Sequence, residues 1–181
     1  MIPEIERAIY GAYVLVDKVY VYRTFVSRHQ EQGSWLWHYD EHPLEVLKLM
    51  IYLTDVDEGS APFTYLSSGD SGDAVLGTRQ PLYGQSRIPA LAMGAYVARG
   101  CRAQSVIGPA GTAVLFNDDV IHRATFAERR HRDVLILQLR PATRRRTPYV
   151  DPRWTGSFQH RDFNPDPEQV EPQVWPPPQR A

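Results

Sequence analysis

The sequence predicts an all-β sandwich or barrel. Short runs rich in Val, Tyr, Phe and Leu recur along the chain, and clusters of Gly, Pro, Asp, Asn and Ser separate them. Helical periodicity is nearly absent outside two brief stretches. With 181 residues, 43% of them hydrophobic, the chain is long enough to close one substantial core.

The elements follow in order. Pro3 opens a short helix over residues 3–9. Residues 13–16 and 19–26 are β-branched and aromatic and read as strands. Residues 44–54 are strongly apolar and end at the acidic turn Asp55-Val56-Asp57-Glu58-Gly59. Residues 63–66 make a short strand that stops at Ser67-Ser68-Gly69-Asp70. Residues 70–105 lack clean periodicity, apart from a helical turn over 90–98; a stretch of this length in a compact domain suits a lid or binding loop. Residues 112–116 form a strand entered through Gly108-Pro109-Ala110-Gly111. Val120-Ile121-His122, a charged turn over 128–132 and a strand over 134–139 complete the domain, placed at residues 1–163. Nine of the fifteen prolines lie in the last forty-one residues, so 164–181 read as an extended tail. Trp154, Phe158, Phe163 and Trp175 are the residues that would pin this end of the chain to the domain or to a partner.

Composition excludes several classes. A formal net charge of -1 gives no general attraction to nucleic acid or anionic membrane. No apolar run approaches a membrane span, and the first residues lack a secretion signal. Cys101 is the only cysteine, so no internal disulfide forms and a reducing cytoplasm is the expected setting.

The chemistry concentrates at Trp35-Leu36-Trp37-His38-Tyr39-Asp40 and at His122. His38 and Asp40 lie two apart, so on an extended backbone they point to one face. His122 brings a second imidazole from a distant strand. Two imidazoles and a carboxylate suit one face of an iron(II) ion and leave the other face open to dioxygen and a chelating co-substrate. His-x-Asp alone is a weak signal, with about 0.4 such pairs expected by chance at this composition. Taken singly, His38 is equally a half-buried core histidine, Asp40 a turn residue and His122 a surface histidine. The nearby Trp35, Trp37 and Tyr39 suit a partly apolar small molecule and are equally good core residues.

An anionic chelator needs a cation at its far end. Arg132 shares strand parity with Val134 and Ile136, and its planar fork matches a carboxylate. It also belongs to the cluster Arg129-Arg130-His131-Arg132, which can simply be solvated. Lys48 shares parity with Met50 and Tyr52. Inside a barrel its charge needs an anion, from the co-substrate or an acidic substrate; at an edge it reaches solvent instead.

The ordered set His38-Tyr39-Asp40, Leu47-Lys48-Leu49-Met50-Ile51-Tyr52-Leu53-Thr54-Asp55-Val56-Asp57-Glu58-Gly59, Gly111-Thr112-Ala113-Val114-Leu115-Phe116, Ile121-His122-Arg123-Ala124 and Arg132 resembles the phytanoyl-CoA dioxygenase family of iron(II)/2-oxoglutarate oxygenases. The resemblance covers roughly residues 20–140. It implies a double-stranded β-helix, a jelly-roll barrel of two sheets. It implies His38, Asp40 and His122 as iron ligands and Arg132 as the partner of the distal 2-oxoglutarate carboxylate, with Lys48 a second candidate for the co-substrate. The implied reaction hydroxylates a small-molecule substrate with release of succinate and carbon dioxide. The carboxylate ligand argues against halogenation. With 37 residues ahead of His38, the chain resembles a minimal member or one completed by a second subunit, that is, a homo-oligomer. A cupin-like metal enzyme that does not use 2-oxoglutarate, and a non-catalytic barrel that binds through Arg144-Arg145-Arg146 and the proline-rich end, are the competing readings.

Overall fold

The computed structural model describes residues 1–26, 33–40, 42–67, 69–71, 74, 87–88, 90–98, 100–117 and 119–145. Helix α1 (Ile2–Ile5) continues into one π-helical turn at Glu6–Tyr10 and ends at Gly11, whose φ of 58° supplies the left-handed exit. Strand β1 (Tyr13–Thr24) follows, then β2 (Leu47–Tyr52), β3 (Phe63–Tyr65), helix α2 (Ala90–Val97), β4 (Gln104–Val106), β5 (Ala113–Asn117), β6 (His122–Arg123) and β7 (Arg132–Ala142).

The strands form two sheets, ordered β1-β7-β2-β5 and β4-β3-β6. β7 is the spine of the larger one, pairing antiparallel with β1 from Thr24↔Arg132 to Tyr13↔Ala142 and with β2 from Tyr52↔Val134 to Leu47↔Leu139. The two runs expected at 13–16 and 19–26 are a single strand with a register shift between Val16 and Lys18. That shift reverses the parity. Val14 and Val16 pack outward with Ile5, Leu47, Leu49 and Leu139, whereas Tyr20 and Tyr22 join the interior.

The interior lies between the sheets. Met50, Tyr52, Val134 and Ile136 of the larger sheet meet Phe63 of the smaller and Val56 beside it, with Tyr65, Val106, Val114 and Phe116 at the margin. Each such side chain contributes on the order of 1.5–3 kcal/mol by leaving water. Tyr52 also ties the sheets together: its hydroxyl donates to the Val106 carbonyl at 2.9 Å and accepts from the Phe63 amide at 3.1 Å. A third cluster (Trp37, Leu66, Ala74, Ile88, Met93, Ile121) forms under α2, with Cys101 packed against it.

Trp35 sits in a 3₁₀ turn (Gly33–Trp35) just ahead of the extended backbone of His38. Two local expectations change. The segment expected as irregular, residues 70–105, runs into β4, whose Gln-Ser-Val pattern shows no alternation and which forms because β3 offers it a partner. The last strand is longer than expected and takes in Arg132. Most of residues 72–86 and all of 146–181, including the proposed domain boundary, the aromatic residues of the tail and Arg146, lie outside the described residues. Among the described residues no helix is long and apolar enough to cross a membrane.

Candidate metal centre

His38 lies on extended backbone that adds to the smaller sheet. It bridges Arg87 on one side and His122 on the other. The amide of each histidine donates to the carbonyl of the other, at 2.9 and 2.8 Å. Alternation sends Trp37 to the opposite face, into the outer cluster under α2, where the Arg123 guanidinium stacks over its ring at 4.7 Å. Trp35 packs on Phe126. For Trp37 the core reading therefore replaces the substrate-contact reading.

The histidines are buried, His38 at 3% exposure and His122 at 6%. Each Nδ1 lies on a backbone carbonyl two residues back: His38 on Leu36 at 2.8 Å, His122 on Val120 at 2.7 Å. Those contacts place the proton on Nδ1 and turn both Nε2 lone pairs inward. Asp40 meets them, with Oδ1 3.9 Å from His38 Nε2 and Oδ2 3.5 Å from His122 Nε2. All three donor atoms lie within 4.8 Å of one another. Bonds of about 2.1 Å put adjacent donors of one ion ~3.0 Å apart and opposite ones ~4.2 Å apart, and the two Asp40–histidine separations fall between those limits.

Electrostatics favour the same use. Burial, then the neighbouring His122, lowers the His38 pKa to about 3, so the imidazole is neutral and ready to ligate. Burial opposes the charge on Asp40, but its contact with His122 and the charge of Lys48 outweigh it and hold the carboxyl well below its ordinary range. Lys48 projects inward from β2 and donates to Asp40 Oδ2. Sequence grounds offered it a co-substrate, an acidic substrate or solvent; the partner found is a side chain of the chain itself, Asp40.

The arginine cluster separates. Arg129 and Arg130 are exposed beside Asp57. Arg132 turns inward at the start of β7 and is 1% exposed. Its Nη2 lies 3.5 Å from Thr24 Oγ1 and its Cζ 5.9 Å from the Tyr52 ring. Among the described residues Nε and Nη1 have no hydrogen-bond partner. A buried guanidinium lacking an anion is costly by several kcal/mol, so the site fits an anionic ligand. Phe63 and Phe116 pack on the His122 ring, with centroids at 5.4 and 5.3 Å. Sequence reading singled out neither as a wall of the site, although Phe116 has the strand parity of inward Val114.

No family model matches this sequence, and none of the curated proteins matches it. Solved structures do. EctD from S. alaskensis with bound Fe aligns at 15% identity and TM-score 0.56, over 81% of this chain and 52% of that one. The same protein with 2-oxoglutarate and 5-hydroxyectoine aligns at 13% identity and TM-score 0.55, over 84% and 53%. EvdMO1 aligns at 12% identity and TM-score 0.51, over 76% and 30%. The chain thus spans about half or less of the length of these proteins. The likeness establishes the architecture: an all-β double-stranded β-helix with few short helices.

Proposed function

We propose that this chain is an iron(II)- and 2-oxoglutarate-dependent oxygenase that hydroxylates a small molecule and releases succinate and carbon dioxide. The observation that carries the proposal is a pair of features inside one barrel. Two imidazoles and an ionised carboxylate converge, and a buried guanidinium lacks an anion among the described residues. The likeness to EctD, solved with Fe and with 2-oxoglutarate, supports it.

In this reading His38 and His122 would hold iron through Nε2 and Asp40 through a carboxylate oxygen. Arg132 would take the distal carboxylate of 2-oxoglutarate in a bidentate grip. When bound, iron and 2-oxoglutarate supply the activation of dioxygen and the oxidation of substrate. The protein supplies orientation and shielding. The Nδ1 contacts of both histidines lock their rings, and Phe63 and Phe116 form an apolar wall that excludes water from His122. With Asp40 on the metal no vertex is left over for halide. The same reading carries a small-molecule substrate, a cytoplasmic setting and no nucleic-acid or membrane partner. A cupin-like enzyme without 2-oxoglutarate gives Arg132 no role, and its buried, unanswered charge favours the oxygenase.

Anaerobic titration with iron(II) and 2-oxoglutarate tests the proposal. A visible charge-transfer band that needs both components is expected. Iron binding without a band on adding 2-oxoglutarate would leave the cupin-like reading in place, and no iron binding would leave the non-catalytic barrel.

A further inference from the structure

Resting on that reading, we infer that Lys48 is a positioning residue for Asp40. It occupies Oδ2, leaving Oδ1 as the oxygen offered to the ion. It also adds a fixed positive charge that weakens the hold on the bare cation and strengthens the hold on the dianionic co-substrate.

The placement comes from the sheet. Lys48 is the second residue of β2, an inner strand of its sheet, paired with Phe116 of β5 and Gln138 of β7, and it shares the inward parity of Met50 and Tyr52. Its side chain is 13% exposed and that of Asp40 20%, so the ammonium works in a largely enclosed space. Its contact is with Oδ2, the oxygen 3.5 Å from His122 Nε2, whereas Oδ1, which the lysine does not cover, lies 3.9 Å from His38 Nε2. An ammonium bound at one oxygen opposes bidentate coordination, because the ion would then share that oxygen with a like charge. Asp40 so held fills a single vertex, and three ligands leave room for a bidentate chelator and dioxygen.

The charge has a second effect. A dication entering beside Lys48 meets repulsion that a neutral side chain would not exert, and a dianion entering afterwards meets added attraction. Removing the charge must therefore move the two affinities in opposite directions. A lysine that only props up the loop would on removal weaken both. A lysine that leaves when the metal arrives would on removal leave co-substrate affinity unchanged.

The experiment measures binding without turnover. Manganese(II) is titrated into the metal-free protein and followed by the spin resonance of the free ion. 2-Oxoglutarate is then titrated calorimetrically into the manganese-loaded form. Lys48→Met and Lys48→Gln should bind manganese about fivefold or more tighter and 2-oxoglutarate about fivefold or more weaker, an electrostatic coupling of ordinary size. Lys48→Arg should stay near wild type in both. Two neutral variants guard against one failing to fold. Wild type binding both ligands, with the neutral variants moving both affinities the same way or only one of them, overturns the role of Lys48 alone. Wild type binding neither removes the oxygenase reading and this inference with it.

Discussion

Arg132 and its neighbours make the sharpest contrast at the residue scale. Arg129 and Arg130 spend their charge on Asp57 at the surface, where such pairs contribute ~1 kcal/mol or less. Arg132, two positions on, is buried with two nitrogens unanswered among the described residues. Replacing Arg132 with Ala should weaken 2-oxoglutarate binding by ~1.5–3 kcal/mol, the range for a charged hydrogen bond; unchanged co-substrate dependence would move that role to another residue. His38 yields a pH prediction. Its pKa is about 3 when folded and 6.5 when exposed. Between those values the unfolded chain binds the additional proton, so stability falls as pH drops through the window, by up to ~1.4 kcal/mol per unit. Asp40, held below its ordinary range, loses its stabilising effect only in stronger acid. Urea midpoints of the metal-free protein at pH 7, 5.5 and 4 should decline, and His38→Gln should flatten the trend. An equal decline in the variant would assign the effect to other groups.

At the scale of elements, strand alternation made much of the fold readable. The parity of Val134 and Ile136 favoured an inward Arg132, as observed, whereas that of Met50 and Tyr52 left Lys48 open between interior and edge, and the structure turns it inward. The readings that changed lacked such a signal. Gln104-Ser105-Val106 shows no alternation and only Val106 is partly buried, so its pairing with β3 makes it a strand. The shift beside Asp17 joins two apparent strands into one while reversing which side chains face in, and no composition rule marks it. Tyr52 shows an element acting beyond its own sheet. Tyr52→Phe removes a hydroxyl that serves Val106 and the buried Phe63 amide. A loss of ~1–3 kcal/mol is expected, read as a lower urea midpoint at constant m. A midpoint within error of wild type would mean that the hydroxyl does not couple the sheets.

On the scale of the whole molecule, the site joins both sheets. His38 and His122 belong to the smaller one, Lys48 and Arg132 to the larger, and Asp40 to the segment between them. A bound ion should stabilise the folded state, because its three ligands, far apart in sequence, meet only there. Manganese(II) at one hundred times its dissociation constant should add ~2.7 kcal/mol of stability, and His122→Ala should abolish the increment while still folding. A variant stabilised as much as wild type would show the ion bound elsewhere. From the sequence alone came the all-β class, the shared face of His38 and Asp40, and the residue types suited to iron, because period-two alternation and donor chemistry are local properties. The tertiary structure decided that His122 pairs with His38, that Lys48 finds Asp40, that Trp37 turns away into the outer core, and that Arg132 alone of its cluster is buried. Each of those depends on which strands become neighbours and how the sheets face one another, and no local stretch of chain contains that information.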